Sequence, residues 1–216
     1  MRDHPIPAVT DPLQYRAIGI VRGTYIPHDE NEFTRGKLVD LKGVELEAVV
    51  LGRTLSLMRR HLKLERPHLW VVYPRSREID YLHLQIAGIW EPSTLSKDAL
   101  EEDVKSDLIS EGDDYFSIRG ELIYTKSEDN EFIVKIRQRR QNNRQNSNPF
   151  KLKLKGNIPI DRLRHFISME VRREGQCLHL ENYQVIKEIS TRGGKRKKQF
   201  TKNKINISLS TNKNDK

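Results

Sequence analysis

Between residues 131 and 155 the chain carries two six-residue stretches in which every second residue is apolar. In the first, Phe132, Val134 and Ile136 share one face, while Ile133, Lys135 and Arg137 share the other. In the second, Phe150, Leu152 and Leu154 stand against Lys151, Lys153 and Lys155. A period of two held over this length marks a half-buried strand, because i and i+2 side chains lie on one face of a strand but not of a helix. One strand face must therefore enter a core and the other must carry a row of cations. No helical packing satisfies both demands.

The elements around these strands repeat. In the second half, strands are expected from Phe116 to Thr125, Glu131 to Gln138 and Phe150 to Lys155, with Ile118, Leu122 and Tyr124 marking the first. One or two helical turns follow over Asp161 to Phe166, then strands Ile167 to Arg173 and Cys177 to Ile189. In the first half, strands Arg16 to Tyr25, Phe33 to Val39 and Val44 to Leu51 precede a helix over Arg53 to Leu64. Its Leu55, Met58 and Leu62 recur at a spacing of three to four. Pro67 to Tyr73 and Leu82 to Trp90 complete that half. Three strands, a short helix and two strands is the order of an OB-fold barrel. The expected fold is mainly β: two tandem OB-like five-stranded barrels with short helices and a disordered basic C-terminal tail. Unrelated β-rich domains, such as SH3-like barrels, are the alternative.

Charge divides the chain unevenly. Residues 1–92, the first barrel, hold 13 basic and 12 acidic residues; residues 93–114 hold 2 and 8 and read as an acidic linker, with Ser96 as the cap of a short helix. Residues 115–189, the second barrel, hold 15 and 9, and residues 190–216 hold 9 and 1. The last segment has too few apolar residues to offset the entropy of ordering it, so it is expected to be disordered.

The catalytic signatures of phosphate-binding loops, nucleophile elbows and zinc helices are absent. Gly19 and Gly23 lie inside a strand with no helix after them and read as barrel bends. His68 and His83 fall in adjacent strands and can meet as a hydrogen-bonded structural pair. Glu78, Asp80 and Glu91 read as surface acids. Trp70 and Trp90 read as packing residues, and the end Arg75-Ser76-Arg77 as exposed and available to phosphate. The expectation is a non-enzyme with no metal and no cofactor. No apolar run is long enough for a membrane-spanning helix. A single Cys177 and the lack of an apolar signal segment point to a soluble protein of a reducing compartment.

Alternation sends Lys135, Arg137, Lys151, Lys153 and Lys155 outward on strands 2 and 3 of the second barrel, the face on which OB barrels commonly hold oligonucleotides. The connecting loop 139–148 adds Arg139, Arg140 and Arg144 and no acid, and the tail adds Lys195, Arg196, Lys197 and Lys198. Such a surface neutralises phosphates and releases their counterions. The face offers only Ile133 as an apolar platform, with Tyr124 and Tyr183 nearby. That favours backbone contacts of low sequence specificity and an RNA or ribonucleoprotein partner over DNA. Two readings compete. In one the lysines keep a strand soluble. In the other the chain is a protein-interaction or scaffold subunit working through the first barrel.

Several stretches resemble a protein family conserved among cyanobacteria. They are Tyr15 to Gly23, Glu47 to Arg53, His68 to Arg75, Gln85 to Pro92 and Pro149 to Gly156. The resemblance runs through most of residues 15–189, implies a cytoplasmic location and supplies no catalytic residues.

Overall fold

A computed structural model of the chain describes residues 4–29, 31–62, 64–76, 81–91, 109–137 and 148–189. The first half forms β1 (Arg16–Asp29), β2 (Glu32–Asp40), β3 (Glu45–Val50), α1 (Gly52–His61), β4 (His68–Ser76) and β5 (Leu82–Ile89). The second forms β6 (Tyr115–Lys126), β7 (Glu131–Ile136), β8 (Phe150–Lys155), a 3-10 turn (Ile160–Arg162), β9 (His165–Glu174) and β10 (Cys177–Glu188).

Each half closes on itself in the same way. In the first, β1 pairs with both β2 and β4, β2 with β3, β4 with β5, and the parallel pair β3–β5 completes the ring. In the second, β6 pairs with both β7 and β9, β7 with β8, and β9 with β10. Its parallel closure, β8 to β10, is a single pair, His179 with Lys155. These are two five-stranded OB-fold barrels in tandem. The helix expected over Asp161 to Phe166 shrinks to the 3-10 turn, and β9 begins at His165. Arg164 takes a left-handed φ of 64° and donates its N–H to the Leu122 carbonyl at 2.9 Å, which ends the turn.

The barrels are also joined edge to edge. Arg16, Ala17, Ile18 and Gly19 of β1 pair antiparallel with Arg119, Ile118, Ser117 and Phe116 of β6, so all ten strands form one continuous sheet. Ala17 to Val21 and Phe116 to Gly120 are therefore buried without alternation, since neither face meets solvent. Gly19 is closely packed across the joint. A Cβ there would stand 2.2 Å from the Phe116 ring, so glycine is what lets that ring seat. The opposite face of β1 carries Ile18 and Ile20, which pack with Ile6 and Leu69 beside Trp90, Ile109 and Tyr115.

A second joint is ionic. Arg173, at the end of β9, is buried and donates to Asp40 at 2.6 Å and to Asp114 at 2.8 Å. Burial alone would raise the Asp40 carboxyl, but Arg173 and the backbone amides of Val44 and Lys42 hold it below its ordinary value. Asp114 goes the other way, because burial there outweighs the pull of Arg173. Gln176 adds a hydrogen bond to the Glu45 carbonyl at 2.5 Å.

Several side chains stand elsewhere than the sequence suggests. His68 and His83 do lie on adjacent strands, but at opposite ends of the ladder: His83 faces Arg75, and His68 is hydrogen-bonded to Glu91. Glu91 is thus largely buried rather than a surface acid. Arg75 is not an open phosphate contact; its guanidinium lies 4.0 Å from the centre of the Phe150 ring on β8. Trp70 is fully buried and donates its indole N–H to the Gly23 carbonyl at 2.8 Å. Residues 77–80, 93–108, most of the 139–148 loop and 190–216 lie outside the described residues. With them lie the readings made for Arg77, Glu78, Asp80, the linker helix and the disordered tail.

Candidate nucleic-acid interface

The outward face of the second barrel is built from three strands in register. One row across β6, β7 and β8 reads Lys126, Glu131, Lys155; the next Tyr124, Ile133, Lys153; the third Glu121, Lys135, Lys151. Arg137 extends the face beyond the end of β7. Phe132, Val134, Ile136, Leu152 and Leu154 are buried beneath, which is what turns the intervening residues out.

Lys135, Arg137, Lys151, Lys153 and Lys155 are thus brought together, but not as an uninterrupted row of free cations. Glu131 pairs with Lys153 at 2.9 Å and with Lys155. Hydrogen bonds from Lys155 and then Lys153 hold the Glu131 carboxyl below the usual carboxylate range. Glu121 sits between Lys135 at 3.2 Å and Arg137 at 3.5 Å. Lys151 is exposed and has no ion pair among the described residues. Counting Asp129, which pairs with Lys126, six cations against three carboxylates still leave a surplus of three positive charges. Arg139, Arg140, Arg144, Lys195, Arg196, Lys197 and Lys198 lie outside the described residues.

The corresponding face of the first barrel differs. Arg35 and Lys37 of β2 stand against Glu45 and Glu47 of β3, with Lys37 to Glu45 at 2.6 Å and His28 to Glu47 at 3.7 Å. Two cations and two acids cancel. A polyanion is therefore attracted to one barrel and not to the equivalent surface of the other.

Two features of the face escape a strict period-two reading. A bulge between Leu122 and Tyr124 inserts one residue into β6. Leu122 points inward and Tyr124 outward, where it is exposed beside Ile133. Tyr124 therefore belongs to the face rather than to the inner set of Ile118 and Leu122. Glu121 is the second, since its position opposite Lys135 follows only from the β6–β7 register. Among the described residues no group of three or more His, Cys, Asp or Glu converges to hold a metal ion. No described helix is long and apolar enough to cross a membrane.

Comparison with known families bears on the same two units. Residues 17–97 match the family described as PatR RNA-binding protein, N-terminal OB-fold domain. Residues 118–187 match the family described as cyanobacterial OB-fold-like RNA-binding domain, C-terminal. No curated protein matches the chain.

Proposed function

Because its first barrel matches the PatR N-terminal OB-fold domain and its second the cyanobacterial OB-fold-like RNA-binding domain, we propose that the chain is a non-catalytic, cytoplasmic RNA-binding protein that grips phosphates on the outer β7–β8 face of its second barrel. The observation that carries this reading is the charge contrast between equivalent faces: a surplus on one barrel and balance on the other. Lys135, Arg137, Lys151, Lys153 and Lys155 supply the charge, and the chain runs from Arg137 directly into Arg139 and Arg140. Arg144 and the basic tail through Lys195, Arg196, Lys197 and Lys198 add sequence-independent attraction. Residues 93–114 act as the acidic linker of this arrangement.

The test is the affinity of the full chain for RNA across a salt series. Replacing Lys151, Lys153 and Lys155 by Ala is expected to weaken binding and to flatten log K against log salt by about 0.7 per lost contact on a single strand. These side chains leave the core untouched, so stability is expected to change by no more than about 0.5 kcal/mol each. An unchanged affinity and slope would make the lysines solubility devices. The leading reading would then be a scaffold that works through the charge-balanced first barrel.

A further inference from the structure

We infer that the junction between the two barrels is a nucleobase-stacking subsite, with Tyr81 of the first barrel as its platform. This inference rests on the phosphate-binding reading of the β7–β8 face. The β4–β5 ladder of the first barrel ends at the pair Ser76 and Leu82. Tyr81 comes immediately before Leu82 and is 66% exposed, level with Leu41 and above every described aromatic residue of the chain. It lines a shallow groove with Ser76 and Leu82 on one side and Lys153, Lys155 and Cys177 on the other. The groove therefore crosses from one barrel to the other and shares Lys153 and Lys155 with the cationic face.

Two contacts hold this edge of the first barrel in place. Arg75, two residues into the same ladder, lies over the Phe150 ring at the start of β8. The antiparallel β1–β6 pairing fixes the barrels as one sheet. Tyr81 is thus presented to β8 by structure already formed. Its groove is small, with a volume of about 40 Å³. What the site offers is an exposed tyrosine in one groove with Lys153 and Lys155, which Glu131 holds at the rim of the cationic face, a setting for an unpaired base whose phosphates meet cations. A duplex, whose bases are already stacked inward, has no face to give it. The occupant is therefore an unpaired nucleotide of the strand that lies on β7 and β8.

The experiment measures binding of the full chain to a fluorescein-labelled single-stranded oligouridylate and to a blunt RNA duplex of equal length. It compares the native sequence, Tyr81→Ala, Tyr81→Phe, and the triple variant with Lys151, Lys153 and Lys155 changed to Ala. Tyr81→Ala is expected to weaken single-strand binding about tenfold, Tyr81→Phe to keep it, and neither to change duplex binding. If Tyr81→Ala binds the single strand normally while the triple variant is weakened, the subsite is overturned and the phosphate-binding reading stands. Equal weakening on single strand and duplex also overturns stacking. If the triple variant too binds normally, both inferences fall. As a measurement independent of any variant, a strand carrying 4-thiouridine is expected to crosslink to the peptide containing Tyr81. Crosslinking confined to other peptides rejects the subsite.

Discussion

Glu131 restrains the lysines it touches. Its carboxylate holds Lys153 and Lys155, two of the groups assigned to phosphate. Glu131→Gln is expected to raise RNA affinity several-fold at low salt and to steepen the salt dependence by up to about 0.7 for each lysine released on a single strand. Fluorescence titration across salt checks both. The cost in stability is expected to stay within about 1 kcal/mol, as for other surface ion pairs. The pH dependence follows from the depressed carboxyl value. A lowered folded pKa means the ion pairs stabilise the fold above the ordinary value of 4.5 and are lost only as pH falls through the lower folded one. Between about pH 5.5 and 8 the carboxylate stays charged, so the gain in Glu131→Gln is expected to be constant across that range. Lysine positions on β7 and β8 were readable from alternation alone. Their partner Glu121 was not, since it enters the face only through register; Tyr124 was read as a neighbour of the face, and a bulge that no period-two rule contains turns it onto it.

At the level of elements, the order of strands and helix was legible in both halves because strands such as β7 and β8 carry an apolar period and several breaks carry a Gly or Pro, as at Gly43, Pro67, Pro149 and Gly175, or a polar Asp/Asn turn. What was hidden is that β1 and β6 serve two barrels at once. The signal for it is the run Ala17-Ile18-Gly19-Ile20-Val21, apolar at every side chain it carries, which marks a strand covered on both faces. Gly19→Ala tests the joint. The added methyl group meets the Phe116 ring inside van der Waals contact, and the expected loss is about 1–3 kcal/mol, as for other overpacked sites. A lower urea midpoint with an unchanged RNA salt slope is the predicted pattern, since the cationic face lies on other strands. A variant as stable as the native chain would show that the ring can be reseated without cost.

Across the whole molecule, Arg173 is the strongest tie between barrels. Removing it leaves Asp40 and Asp114 facing each other in a buried site without a cation. Arg173→Ala is expected to cost about 3–5 kcal/mol, the usual penalty for breaking a buried ion pair, and thermal unfolding checks it. Acid acts on the same joint. The Asp40 carboxyl lies below its ordinary 3.8, so its stabilising contribution is intact above that pH and is lost as pH falls through the lower folded value. Nothing in the sequence announces this triad, because its members are separated by up to 133 residues.

The β1–β6 pairing also has a consequence in time. Ile18 is translated 99 residues before Ser117, the residue it pairs with. At a synthesis rate of about 5–20 residues per second, the first half of β1 waits on the order of 5–20 s for its partner. Once β5 ends at Ile89 and the first barrel can close, it presents a bare apolar edge until β6 follows, with Gly19 still lacking the ring it is shaped for. Chains on neighbouring ribosomes offer the same edge, so crowded translation is the moment at which this protein is most exposed to pairing with its own copies.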